Sequence, residues 1–523
     1  MMSPKASDFD QLPRWLSQAE NLPSTARSVE MIQTHISWVF LADDHVYKLK
    51  KPVQFEFVDF STAQRRRLAC EDEMRLNRRL APNVYLDVLP VYRDEQGRPT
   101  WQPRGEAIDW VVHMRRLPAE KMMDQVIRDG RMNDRVCEAV ATMLSDFYQS
   151  EPPLKIAPEE YRQRIESHLR ANYDDMTFAA RHLPARTVQR ITAALVRMLK
   201  LEPWMFNARV DAGRIIEGHG DLRPEHVCLT DPPVVFDCIE FSRDFRTIDI
   251  ADELSFLAME CDFLEAGWFG KQISERCARH LADHVSPRLT RFYKSYRACV
   301  RAKVAALRSV QLEAHAAKEA HAEAEAYLDL ADRHATGLTR PLVIVVTGRM
   351  GTGKSTLARA LAKGFVAPLE QTDAVRRELF GASEKPAAYG EEIYTSENRN
   401  RVYQELGNRV GQHVTDGLTV IADGTFLSRA SRESLYSVAH DHGARTMMVH
   451  CECPDDVARQ RIDRRQKSGT DLSEARPELH RRQSFEAPDV EDSSAWIKID
   501  TTTPIEHQVA AVLTALRERH TPD

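Results

Sequence analysis

The segment Pro341 to Gly364, PLVIVVTGRMGTGKSTLARALAKG, constrains this chain more tightly than any other. Leu342 to Val346 make an apolar, mostly β-branched run of the length of a buried strand. Gly348-Arg349-Met350-Gly351-Thr352-Gly353-Lys354-Ser355 then meets the phosphate-binding pattern G-x-x-x-x-G-K-[ST] at every fixed position. A helix follows, with Leu357 and Leu361 four apart and Gly364 as its expected stop. Strand, loop and helix in this order suit a polyphosphate cradle, because backbone N–H groups must turn inward where side chains would obstruct them. The loop residues through Thr356 are expected to hold ATP, with Lys354 bridging its β- and γ-phosphates and Ser355 holding Mg²⁺.

The residues beyond Gly364 predict the rest of a doubly wound parallel sheet. Asp373, in Gln371-Thr372-Asp373-Ala374-Val375-Arg376, sits where a second strand meets its helix, nineteen residues past Lys354 (373 − 354). Carboxyl ends of neighbouring strands line one crevice in such sheets, so Asp373 can face the γ-phosphate or, alternatively, cap the helix. Leu418 to Ala422 is an apolar run ending on Asp423, a position suited to orienting Mg²⁺ opposite Ser355. Met447 to Cys451 is a further strand, and Arg461, Arg464 and Arg465, then Arg481 and Arg482, stud a helix and loop after Pro454. The D-x-x-R arrangement resembles that of the polynucleotide-kinase and zeta-toxin group of P-loop phosphotransferases. That resemblance implies Asp373 as acceptor base, Arg376 as substrate clamp, and a lid arginine among Arg461, Arg464 and Arg465.

The N-terminal half carries a second constellation. Thr34–Leu41 and His45–Lys50 predict two strands joined at Ala42-Asp43-Asp44, followed by a charged helix with Glu71 and Glu73, then strands over 84–92 and 110–114. From Pro118 the pattern turns helical, until Gly218-His219-Gly220-Asp221-Leu222-Arg223-Pro224-Glu225-His226 and the strand Val234 to Asp237 interrupt it. H-x-D-x-x-x-x-N followed by an apolar strand ending in Asp resembles the aminoglycoside and choline kinase branch of the protein-kinase-like, bilobal fold. The resemblance implies Asp221 as the catalytic-loop carboxylate, Asp237 as a metal ligand, Lys48 as the strand lysine on the α- and β-phosphates, and Glu73 as its helix partner. His226 stands where that pattern has Asn as second metal ligand, and imidazole suits Mg²⁺ poorly. No glycine-rich loop precedes Lys48.

These readings divide the 523 residues into a lead-in (1–33), a kinase-like N-lobe (34–117), a helical C-lobe (118–312), an exposed helical connector (313–340) and a P-loop domain (341–523). Lys294, Arg297 and Arg301 form one helical stripe, read as a solvated face or a cleft lining. Asp249 and Asp252 read as braces of a loop. A net charge of −6 argues against a dedicated nucleic-acid binder. Nine scattered cysteines fit reduced, cytosolic thiols, and neither an apolar signal core nor a membrane-length apolar run is present. The expectation is a cytoplasmic ATP- and Mg²⁺-dependent kinase acting on a hydroxyl of a small molecule. The alternatives are a P-loop enzyme gated by a kinase-like sensor, and a polynucleotide 5′-hydroxyl kinase.

Overall fold

The computed structural model describes residues 11–55, 58–179, 183–381, 395–468, 485–486 and 496–519. The chain forms two compact units, each built from two separate stretches: Met1–Ile156 with Arg209–Arg297, and Ala157–Ala208 with Ala298–Asp523. These limits differ from the divisions expected at residues 118, 313 and 341, because part of the expected C-lobe belongs to the same unit as the P-loop.

In the first unit, Glu30–Gln33, Ser37–Ala42, His45–Lys50, Asp109–Arg115, Tyr85–Arg93 and Pro99–Thr100 lie side by side in one antiparallel sheet. The hairpin Ser37–Lys50 turns on Asp43, whose φ of 46° is one that Asp tolerates. Helix Ala63–Asn77 starts on Thr62, whose hydroxyl accepts the Arg65 N–H. The lead-in is part of this fold: Leu12, Leu16 and Leu22 join Phe40, Tyr47 and Leu49 in the core, and Glu30–Gln33 pairs with the hairpin. Helices Asp134–Ser150, Ile250–Phe263 and Gly267–His280 build a second core beneath the sheet.

In the second unit, Leu369–Gln371, Val420–Asp423, Leu342–Thr347, Arg445–Glu452 and Trp496–Asp500 form a wholly parallel sheet in that order. In chain order this is 2-3-1-4-5, so the P-loop strand lies at the switch point. Helix Ala185–Leu201 packs on it, with Leu201 sharing a core with Ile344, Leu361 and Val512. The Arg197 guanidinium is buried and donates to Thr339 Oγ1 at 2.8 Å, Thr339 O at 3.0 Å and Thr419 Oγ1 at 2.9 Å. Arg170, on helix Pro158–Asp174, donates to the carbonyls of Lys363 and Gly364.

Several expectations change here. The expected exposed connector is the helix Ala314–Ala335, whose Ala320, Ala324, Leu328 and Ala331 are buried. Its alanines allow close helix approach, which composition alone disguises as solubility. Gly364 lies within helix Lys354–Phe365, which ends instead on Val366 at φ 53°. The Lys294, Arg297 and Arg301 stripe is neither solvated nor a cleft lining: Lys294 pairs with Asp262 at 2.7 Å, Arg297 with Asp252 at 2.7 Å, and Arg301 stacks on Tyr327. Asp249 accepts from Ala251 N, Arg209 and the Tyr293 hydroxyl, as a brace would. All nine cysteines are free, eight of them buried. Among the described residues no helix is long and apolar enough to cross a membrane.

Candidate functional site

The P-loop's glycines are dictated by what lies against them. A Cβ on Gly348 would stand 2.5 Å from Cys451 O, and one on Gly351 would stand 2.7 Å from Ala458 O. Gly353, at φ 87°, sits with its Cβ direction 3.1 Å from Thr501 and 3.2 Å from the Arg461 guanidinium. Only glycine fits between these neighbours at positive φ. Thr352 Oγ1 donates to Arg349 O at 2.8 Å, and Lys354 Nζ folds back onto the same carbonyl at 3.0 Å. Arg349 reaches Asp455 at 3.0 Å. The Met350 backbone completes the loop, Ser355 lies half-buried in the first helical turn, and Thr356 is exposed.

Sheet register brings the acids to this loop. Asp423 pairs with Val346 on one side and with Gln371 on the other, so the carboxyl ends of three strands coincide. Gln371 Nε2 donates to Asp423 Oδ2 at 2.8 Å, whereas the buried Oδ1 has no hydrogen-bond partner. A buried carboxylate oxygen left unmatched at the end of the strand next to the P-loop strand fits a hard cation. Asp373 is not the helix cap, a place taken by Gln371; it lies in the first turn and pairs with Arg376 at 2.5 Å.

Arg461 bonds Thr501 twice, at 3.0 Å to Oγ1 and 2.8 Å to O, while Arg464 and Arg465 follow on the same helix, with Arg464 exposed. The polar stretch after Ser468, with Arg481 and Arg482, lies outside the described residues. Beyond it, the Phe485 ring stacks on His450 at 3.8 Å and under the Arg432 guanidinium at 5.0 Å, and Glu486 O accepts from Arg432.

In the first unit, Lys48 Nζ lies 2.8 Å from Glu73 and 2.7 Å from Asp237. Lys50, two residues along and on the same strand face, is fully buried and bridges Glu73 at 2.6 Å to Glu240. Against burial, which raises it, Lys48 and then His226 hold the Asp237 carboxyl well below the usual range. Burial likewise pushes Glu73 up, and Lys48 and Lys50 reverse it. His219 Nε2–H donates to Phe236 O at 2.9 Å, leaving Nδ1 to accept the Asp221 N–H. His226 Nδ1–H donates to Asp221 O at 2.8 Å, and its Nε2 accepts from Arg223 at 2.9 Å. Arg223 also pairs with Asp221 at 3.1 Å. Asp237, with a side chain 44% exposed, fits one Mg²⁺. His226 does not fit a second, because both its ring nitrogens are engaged.

The sequence reading missed Lys50, Glu240, Arg223, Gln371 and Thr501. Lys50 was visible as the period-2 companion of Lys48, and Arg223 as a charge within the His219–His226 loop. No local signal marks Glu240 or Thr501, whose partners lie far away in the chain.

A family model described as an AAA domain matches residues 343–488. The uncharacterized protein Rv2004c of Mycobacterium tuberculosis (strain H37Rv) is 30% identical over 490 residues, spanning 92% of this chain and 94% of that protein. The uncharacterized protein Mb2027c of Mycobacterium bovis matches to the same extent. The chain belongs to this family. Its members align over 92% of this chain, a length that takes in most of both units. Among solved structures, a choline/ethanolamine kinase family protein from Mesorhizobium loti matches 62% of this chain and 98% of its own at 14% identity and a TM-score of 0.36. A putative kinase from Chloroflexus aurantiacus matches 35% of this chain and 100% of its own at 23% identity and a TM-score of 0.28.

Proposed function

We propose that this chain is an ATP-dependent phosphotransferase whose P-loop moves the γ-phosphoryl group to a hydroxyl of a small-molecule acceptor, and that the kinase-like unit holds a second nucleotide. One observation carries the reading. Sheet register sets Asp423 beside the P-loop strand with an unmatched buried oxygen, and Asp373 follows two residues after Gln371 on the next strand but one. A P-loop alone binds nucleotide; a P-loop with two carboxylates at adjoining strand ends has a metal-orienting group and a candidate base.

In this reading Lys354 exchanges Arg349 O for β- and γ-phosphate oxygens, and the loop N–H groups bind the remaining phosphate charge. Ser355 and Asp423 would hold Mg²⁺, which when bound offsets charge on the transferring oxygens. Asp373 accepts the proton of the acceptor hydroxyl as the new P–O bond forms, and ADP leaves from the opposite side. Arg376 orients both Asp373 and the acceptor, and Arg461 borders the cradle at Gly353.

Incubating the full chain with ATP, Mg²⁺ and a metabolite extract, then screening by mass spectrometry for phosphate gain, identifies the acceptor. Lys354→Ala should abolish that gain; undiminished product would sink the reading. A second reading, in which the kinase-like unit senses nucleotide without catalysing transfer, is favoured by the Asp221–Arg223 pair, which occupies the carboxylate a base would need free. Product formation that persists in Asp221→Asn and stops in Lys354→Ala would select it.

A further inference from the structure

In the kinase-like unit each of the two site carboxylates already has a fixed cationic partner. Lys48 stands 2.7 Å from Asp237, and Arg223 stands 3.1 Å from Asp221. Arg223 is held in place on three sides, by Asp221, by Glu225 and by the His226 ring, with its side chain only 13% exposed. We propose that this site takes its nucleotide with one divalent cation, on Asp237, and that the Arg223 guanidinium occupies the place and supplies the charge of a second. This rests on reading the unit as a nucleotide site.

The geometry at His226 excludes the alternative. Its Nδ1 carries the proton, because that nitrogen faces the Asp221 carbonyl at 2.8 Å. Its single lone pair is therefore on Nε2, and an Arg223 nitrogen lies 2.9 Å from it. A metal ion on the same lone pair would sit about 2 Å away, inside the space the guanidinium fills. The two cannot coexist, and a hard ion gains little from imidazole that would favour displacing a charged donor. Among the described residues no three His, Cys, Asp or Glu side chains are grouped to hold a metal unaided, so an ion here must share its shell with phosphate oxygens. Asp237 serves that purpose, since its side chain is 44% exposed and Lys48 takes only Oδ1. A guanidinium in place of the second ion presents a planar fork to phosphate oxygens and needs no free metal to stay charged.

The test uses the full chain carrying Lys354→Ala, with a non-hydrolysable ATP analogue. Bound nucleotide is counted by equilibrium dialysis and bound Mn²⁺ by electron paramagnetic resonance. The expected result is one Mn²⁺ per bound nucleotide, with binding lost on adding Lys48→Ala. Adding Arg223→Gln should weaken nucleotide binding about tenfold or more, and Arg223→Lys should restore part of it. Circular dichroism melts of both variants confirm that they fold. Two Mn²⁺ per nucleotide, or undiminished affinity in folded Arg223→Gln, overturns this inference alone. Absence of Lys48-dependent nucleotide binding overturns the two-site reading and this inference together.

Discussion

The Thr501 hydroxyl accepts from Arg461 at 3.0 Å and donates to Thr352 O at 2.7 Å, so one oxygen ties the last strand's exit and the arginine helix to the backbone of the P-loop. Thr501→Val keeps the shape and removes both bonds. It leaves a buried P-loop carbonyl unmatched and should cost about 1–3 kcal/mol of stability. Nucleotide affinity should fall as well, read by calorimetric titration; a variant with unchanged melting temperature and affinity would refute the role given to Thr501.

Two glycines in the same region should respond in opposite senses. Gly351→Ala places a methyl 2.7 Å from a backbone oxygen, Ala458 O, at φ 79°, and neither strain can relax cheaply. It should abolish nucleotide binding at the P-loop while leaving the Lys48-dependent site of the other unit occupied. Gly364 lies in a helix with nothing within 4 Å of its Cβ direction. Gly364→Ala should be neutral or stabilising by about 0.5–1 kcal/mol, judged by urea unfolding.

Lys50 and Lys48 share Glu73 but should fail differently. Lys50→Met strands Glu240 in a buried site and leaves Glu73 with Lys48 alone, and should cost about 3–5 kcal/mol in chemical denaturation. Glu240→Gln in the Lys50→Met background should recover part of that loss. Lys48→Met acts at the more open end of the network, with its main effect on nucleotide affinity. Equal destabilisation by the two single variants would contradict the division of labour.

How much of this was legible beforehand depends on the distance over which each contact is made. The P-loop could be read because its requirement is local: glycines, lysine and serine within eight consecutive residues. Lys48, Glu73 and Asp237 could be placed by a family pattern, and their side chains do converge. Lys50 showed only as the companion of Lys48 on its strand face, and its pairing with Glu240 could not be read, since that contact spans 190 positions and leaves no spacing to notice. Helices Pro158–Asp174 and Ala185–Leu201 show a clear apolar face, but periodicity says only that a face is covered, never by which sheet. That is why their membership of the P-loop unit escaped the sequence reading.

The buried His450 ring should make stability pH-dependent. Burial opposes its protonation and, despite the pull of Glu452, holds its pKa down at about 4. An unfolded histidine titrates near 6.5, so on acidification the unfolded chain takes up this proton first. The contribution is therefore complete above about pH 6.5 and declines as pH falls towards 4, by up to about 3 kcal/mol. His450→Phe retains a ring against Phe485 and cannot titrate. The difference in urea midpoint between pH 7 and pH 5 should shrink in that variant; an identical difference would exclude His450 as the source.

The order in which the two units claim the chain has a consequence for synthesis. The ribosome delivers 157–208 long before the sheet those helices cover, and 209–297, belonging to the other unit, intervenes. At roughly 5–20 residues per second the apolar face of Ala185–Leu201 waits many seconds for the P-loop strand. Nascent chains should therefore depend on a holding chaperone over this interval. For the same reason no single proteolytic cut or gene fission can part the two units.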